Sequence, residues 1–426
     1  ACSYKLEVGH PPGAPLFVLL GRFFTLFAFG DPSKAALWIN ILSALSSAFT
    51  ILFLFWTITA LAKKIMLPSG TLTGGKTWAI MGSGIIGALA FTFSDSAWFS
   101  AVEGEVYAMS QFFTAVVFWA VLKWDADEDE VHRDRWIVLI AFLVGLSIGV
   151  HLLNLLTIPT LAYIYYFKKY KVTRNGFILT GIISLVLLGT VQSLIIPGIV
   201  KLAASFELFF VNTAGMPFNS GTVIYFALLI GAIIYGIRYT TQRGKHVMNT
   251  ILLCFTVLLI GYSTFFVLII RSKANTPMDE NNPENAVTLL SYLKREQYGD
   301  WPILYGQYYN TPYDGNQPYR DGDPVYMPDE KLGKYVIADD RKGEVPNYDE
   351  RFSSYFPRMW SQQDNHERAY KTWADIKGTR IKYDNPFTGE TEDIYKPTFG
   401  ENMKFFFKYQ LVHMYWRYFM WNFAGR

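Results

Sequence analysis

Three short stretches carry side chains whose types and spacing could bind or transform a ligand. The first is Gly9-His10-Pro11-Pro12-Gly13-Ala14-Pro15, directly ahead of the first apolar run. Adjacent prolines fix φ and remove backbone donors, so this stretch is neither helix nor central strand. Glycines on either side allow tight bends. It reads as a stiff strap presenting one imidazole, which can hold a phosphate oxygen through an N–H or pair with its charge when protonated. The second stretch, residues 94–107, holds Asp95, Glu103 and Glu105 beside Trp98 and Tyr107, without any Lys or Arg. Carboxylates at a membrane lip can serve as general base, metal ligand or acceptor for sugar hydroxyls. In the third, Gly149-Val150-His151-Leu152-Leu153-Asn154, a His and an Asn interrupt an apolar run, which is costly unless they face protein or water. Arg271, just past the last apolar run, is a further candidate for holding an oxyanion. Taken singly, each residue is more often a solvated loop charge or a satisfied structural group. Their common placement gives them weight.

That placement comes from the apolar runs. The chain has 426 residues, 51% hydrophobic and only 17% charged, a balance that indicates a polytopic membrane protein. Residues 15–29 form a short lead-in suited to the interface. Residues 35–62, 78–93, 106–122, 176–197, 222–237 and 247–270 are long enough to cross, some of them with tilt or bending. Residues 136–167 are apolar throughout, yet Lys123, Arg133 and Arg135 precede them and Lys168, Lys169, Lys171 and Arg174 follow. Both ends therefore belong on the cytoplasmic side. The stretch is expected to enter and return, with its tip near His151 and arms of roughly 24 Å, short of a ~30 Å hydrocarbon core. Counting this hairpin gives about eight membrane segments. The remaining cations, Lys63, Lys64, Lys76, Arg238, Arg243 and Lys245, fall on the same inner side, whereas the outer loops, with 198–221 read as one of them, hold only Lys201. The strap, the acidic loop, the hairpin tip and everything past Arg271 then share the outer side.

Composition changes at Arg271. Residues 271–400 are polar and turn-rich and hold 14 of the 27 tyrosines. Residues 284–297 read as one amphipathic helix and 335–338 as a strand. Tyrosine faces can stack on sugars, although tyrosine is also a good strand residue. Residues 401–426 read as the start of a further aromatic membrane or interfacial helix. The fold class expected is mainly α: a helical bundle over residues 1–270 with an extracytoplasmic α+β or loop-rich segment over 271–400. No Gly-rich phosphate loop, nucleic-acid patch, His-Glu-x-x-His or paired-cysteine zinc motif is present. Cys2 and Cys254 do not suggest a disulfide framework. Asp125-Ala126-Asp127 resembles a metal–nucleotide triplet but lies in an acidic run on the inner side, and Asp321-Gly322-Asp323 reads as a turn.

Four stretches carry a family resemblance: the HPPG strap, Trp98-Phe99-Ser100-Ala101-Val102-Glu103-Gly104-Glu105-Val106-Tyr107, Gly145-Leu146-Ser147-Ile148-Gly149-Val150-His151-Leu152-Leu153, and the aromatic tail from Tyr409 to Phe423. Together they resemble the protein O-mannosyltransferase-like membrane family, common in Bacteroidetes and long labelled a domain of unknown function, which is similar to the GT-C glycosyltransferases. The resemblance implies a polyprenyl-phosphate sugar donor, an extracytoplasmic site, an inverting transfer to a protein or glycan acceptor, and a bacterial inner-membrane location among membrane lipids. On this reading His10, Pro11, Pro12, Asp95, Tyr107, His151, Asn154 and Arg271 are expected around the donor, with Glu103 and Glu105 binding the sugar or a metal or acting in catalysis. A divalent metal is admitted but no metal ligand is assigned, and no nucleic acid is expected. By the same resemblance the presumed catalytic Asp lies upstream of Ala1 and further segments lie downstream, so the chain is expected to be part of a longer protein. The competing readings are a transporter or flippase of lipid-linked sugars, which carboxylates at mid-membrane depth would favour, and a membrane-anchored glycan-binding protein.

Overall fold

The computed structural model describes residues 2–67, 71–129, 133–299 and 301–424. The outermost residues of the expected segments, 1 and 425–426, lie outside these. The chain divides into two compact units, Ala1–Arg295 and Glu296–Arg426.

The first unit is helical. After α1 (Cys2–Lys5) and the strap come α2 (Pro15–Thr25), with proline in its first turn, and the long α3 (Ala35–Met66). Next are α4 (Gly74–Thr92), α5 (Asp95–Val102) and α6 (Val106–Ala126). The expected acidic loop is thus largely a short helix, bent by 66° from α4. α7 (Asp134–Ile148) and α8 (Thr157–Lys169) are separated by a break containing His151 and a 3-10 turn. The feet of both meet the C-terminal end of α6: Trp136 Nε1 donates to Asp127 Oδ2 at 3.2 Å, and Lys168 Nζ donates to the Trp124 carbonyl at 3.0 Å. The break lies at the other end of α6, where the His151 and Tyr107 rings are 5.6 Å apart. The chain therefore folds back on itself between residues 134 and 169.

α9 (Arg174–Gly189) runs through a π-helical turn, Thr190–Ile195, into α10 (Ile196–Leu208), and the helix continues as a second π turn to Thr213. Residues 198–213, expected in a loop, are helical. A proline inside a helix lacks an N–H and crowds the preceding turn, and the widened turn ahead of Pro197 accommodates it. α11 (Ser220–Gln242), α12 (His246–Tyr262), α13 (Phe266–Ser272) and α14 (Ala286–Lys294) complete the unit. Among the described residues, five helices are long and apolar enough to cross a membrane, or six if α4 and α5 form one bent span. α7 and α12 pack so closely that a Cβ on Gly145 would lie 2.3 Å from the Leu258 carbonyl, and one on Gly261 2.4 Å from the Leu146 nitrogen. Small residues at a crossing are how membrane helices gain contact where lipid gives no hydrophobic drive. The core joins Val8, just ahead of the strap, to Val117, Val144, Leu258, Phe265 and Tyr292.

Among its described residues the second unit has four antiparallel strand pairs: β1 (Tyr305–Gly306) with β6 (Ser354–Tyr355), β2 (Tyr319–Arg320) with β5 (Val345–Pro346), β3 (Val325–Asp329) with β4 (Lys334–Asp339), and β7 (Thr379–Asp384) with β8 (Thr391–Lys396). α15 (Asp364–Ala374) and α16 (Phe399–Phe405) pack around Tyr308, Met359 and Tyr370, and the chain runs on as a π-helix, Phe406–Trp416, into α17 (Arg417–Met420). The mainly helical bundle with a small strand-bearing segment is the fold class expected.

Candidate functional site

The strap is held from below. Val8 pairs with the backbone of residues 278–280, its N–H donating to the Met278 carbonyl at 3.0 Å and its carbonyl accepting from Glu280 N–H at 3.1 Å. Arg271 Nε donates to the Leu6 carbonyl at 2.7 Å and Nη2 to the Lys5 carbonyl at 3.1 Å. The Tyr292 hydroxyl donates to the Gly9 carbonyl at 2.5 Å. Gly13 has φ +83°, and a Cβ there would meet the Tyr292 oxygen at 2.4 Å, so this bend requires glycine. Pro11 is buried, Pro12 is half-buried and joined to it by a cis bond, and His10 is exposed. The strap thus buries its stiff part and presents its imidazole.

The strap meets the α7–α8 break directly, because Leu16 N–H at the head of α2 donates to the Gly149 carbonyl at 2.8 Å. In the break, His151 Nδ1 accepts from Leu153 N–H at 3.1 Å, which leaves Nε2 to carry the proton and act as donor. Burial, and then the positive charge of Arg295, push the His151 pKa below its ordinary value of 6.5. A neutral His151 is the form that this geometry favours. The ring stacks obliquely on Tyr107, two residues after Glu105. Glu103 and Glu105 are exposed and make no ion pair among the described residues. Glu105 immediately precedes α6, where the helix dipole favours negative charge.

The structure therefore stacks His151 on Tyr107 at the end of α6 that Glu103 and Glu105 precede, and the residue that follows the His10 strap, Leu16, meets the same break. Other expected site residues are engaged elsewhere. Asn154 is completely buried, its Nδ2 donating to Ser147 Oγ at 2.8 Å and its Oδ1 accepting from Thr114 Oγ1 at 3.1 Å. Both ends of its amide hold the break against α6, so it is a positioning residue and not a ligand contact. Arg271 likewise gives two donors to the carbonyls of Leu6 and Lys5, in the segment that leads into the strap. Asp95 is exposed at the far end of α5 from Glu103, about 12 Å along the helix. The Asp125 carboxylate is paired with Lys64, which ties the C-terminal ends of α3 and α6, and Asp321 Oδ1 accepts from Gly343 N–H at 3.0 Å in a turn.

Three residues were not singled out from sequence. Tyr292 and Arg295 sit at the end of a helix that reads as an ordinary amphipathic one, and only packing shows that its end reaches the strap and His151. Glu7, three residues before His10, has a buried side chain with Lys5 Nζ 3.9 Å away. An acid next to the strap was a visible signal. Among the described residues no group of three or more His, Cys, Asp or Glu side chains is placed to hold a metal ion. Two exposed carboxylates do not make a metal site by themselves.

Residues 1–174 match the family model described as "Protein O-mannosyl-transferase TMEM260 N-terminal domain". Residues 299–407 match a family of unknown function, DUF8416. Among curated proteins, the chain is 30% identical over 147 residues to "Protein O-mannosyl-transferase TMEM260" of Mus musculus, covering 34% of this chain and 18% of that protein. It is 24% identical over 197 residues to "Protein O-mannosyl-transferase tmem260" of Dictyostelium discoideum, covering 44% and 22%. The matched stretches thus span about a fifth of the length of these curated relatives. No solved structure matches the chain.

Proposed function

We propose, from the premise that residues 1–174 belong to a protein O-mannosyltransferase-like family, that the protein is a GT-C-type membrane glycosyltransferase. In this reading it moves a sugar, mannose by analogy with the relatives' names, from a polyprenyl-phosphate donor to a protein or glycan acceptor. The transfer takes place on the outer side of a bacterial inner membrane. The observation that supports the proposal is the contact of His151 with Tyr107, two residues after Glu105, beside the Leu16–Gly149 hydrogen bond that ties the chain just past the His10 strap to the same break. The charge distribution of the loops supports the outer assignment of that end.

The chemistry is a displacement at the sugar's anomeric carbon. An acceptor hydroxyl attacks, the bond to the phosphate oxygen breaks, inversion follows, and the hydroxyl proton passes to a base. The departing phosphate gains charge in the transition state, so preorganised donors facing it accelerate the reaction. His10 and the Nε2–H of His151 supply such donors, with Arg295 adding positive charge nearby. Glu103 and Glu105 accept from sugar hydroxyls, and the Glu105 carboxylate can take the proton.

The test is sugar transfer from a polyprenyl-phosphate sugar by the full-length protein, comparing wild type with His10→Ala and Glu105→Gln. Each variant should lose about 10²-fold or more in kcat/KM. Unchanged activity in both would remove these residues from the site.

A second reading is favoured by a polar cleft of about 510 Å³ in the second unit, bounded by Asp314, Asp349, Arg351, Tyr383 and Asp384. Such a cleft suits recognition of a glycan by the Tyr-rich segment. Glycan binding by the whole protein, without transfer, would favour it.

A further inference from the structure

One face of α6 meets the break between α7 and α8 at two points. Tyr107 stacks on His151, and Thr114 Oγ1 donates to Asn154 Oδ1 at 3.1 Å. Gln111 falls between these points. On a regular helix the side chains of Tyr107, Gln111 and Thr114 leave within an arc of about 60°. Gln111 then stands about 6 Å of helical rise from Tyr107 and about 4.5 Å from Thr114. Its Oε1 is buried and accepts no hydrogen bond among the described residues. The contrast with Asn154 is direct, because that amide has both of its ends engaged.

The kind of atom decides what could satisfy it. The hydroxyls of Ser43 and Ser47 are also buried without a partner, but a hydroxyl can turn to a carbonyl of its own helix. A carboxamide oxygen only accepts, and the N–H groups of a helix interior are committed to carbonyls one turn back. α6 therefore offers Gln111 Oε1 no donor, and a buried acceptor left so costs stability. A ligand group that meets it must bring a proton. An ionised phosphate oxygen has none to give, whereas a sugar hydroxyl has. His151 Nε2–H, at the Tyr107 end, is a donor and suits the phosphate instead. Gln111 as a whole is half-buried, and the torsion that turns a glutamine carboxamide is soft. Its oxygen can swing to meet a hydroxyl that arrives beside His151.

We propose that Gln111 is a specificity-determining residue whose Oε1 accepts a hydrogen bond from one hydroxyl of the sugar, directing that sugar along α6 from a phosphate held at His151. The proposal rests on the transfer reading for the identity of the ligand, but binding and transfer are measured separately. The probes are polyprenyl-phosphate mannose and a set of donors each lacking one sugar hydroxyl. They are given to the full-length protein in vesicles as wild type, Gln111→Met and Gln111→Leu. Methionine keeps the length and volume of the side chain, and leucine repeats the test with another shape. Each variant removes a buried orphan and should melt about 1–3 °C above wild type. For one of the deoxy donors, wild type should bind about tenfold or more weakly than it binds the mannose donor. Both variants should bind that pair alike, because the contact is already gone. Identical deoxy profiles in wild type and variants, or no donor binding at all, would overturn the proposal. Transfer that keeps such an identical profile would reject the role of Gln111 and leave the transfer reading standing. The expected binding profile without any transfer would uphold Gln111 and reject the transfer reading.

Discussion

At the scale of single residues, the polar groups of the bundle divide by whether the fold itself uses them. Asn154, Arg271, Arg22 and Glu207 are spent internally. Arg22 donates to the Tyr4 carbonyl at 2.7 Å, and the wholly buried Glu207 accepts from Thr222 N–H and Thr222 Oγ1, each at 2.9 Å, at the start of α11. His10, Glu103 and Glu105 are presented to solvent. This division predicts opposite mutational signatures. Asn154→Ala leaves Ser147 and Thr114 with lost partners in a buried site and should cost about 1–3 kcal/mol in thermal or denaturant unfolding. Glu105→Gln should leave stability within about 0.5 kcal/mol while abolishing most transfer. Sequence marks a polar residue in an apolar run but not whether its hydrogen bonds are already made, which is why Asn154 and Arg271 read as ligand contacts. His151 adds a pH signature. Its pKa is lowered in the folded state, so below its ordinary 6.5 the unfolded chain binds more protons than the folded one. Stability should fall as pH drops through the region below 6.5, and His151→Gln should flatten that part of the curve.

At the scale of elements, the crossing of α7 and α12 and the break that follows α7 position the site. Gly145→Ala puts a methyl against the Leu258 carbonyl and should cost about 1–3 kcal/mol. Gly82→Ala in α4 meets nothing within 4 Å and should be neutral or stabilise by up to about 1 kcal/mol. A pair of melting curves would check both. The long helices were legible because unbroken hydropathy leaves few alternatives; α3, for example, extends the expected 35–62 by only a few residues. The helix through residues 198–213 was not legible. Pro197, Gly198, Lys201 and Glu207 have the composition of a loop, and only the widened turn before Pro197 and the hydrogen bonds that Glu207 accepts from the start of α11 explain why the helix continues. The strap's prolines announced a stiff bend, but its attachment to Tyr292 joins residues nearly 300 apart and has no local signal.

At the scale of the whole molecule, the reading depends on the strap, the α7–α8 break and the acidic pair sharing one side of a membrane. Charge asymmetry in the loops carries that expectation, and labelling can test it. In sealed cells, cysteine placed at Glu103 should react with an impermeant maleimide, whereas cysteine placed at Lys64 should react only after permeabilisation. Convergence is a stronger claim than shared sidedness. Its most direct test is a double-mutant cycle on sugar-transfer kcat/KM with His10→Ala, His151→Gln and the double variant. Two groups facing one departing phosphate should be non-additive, with a coupling of about 0.5–3 kcal/mol. Independent, additive losses, or no loss at all, would contradict a single site built from the strap and the helix break.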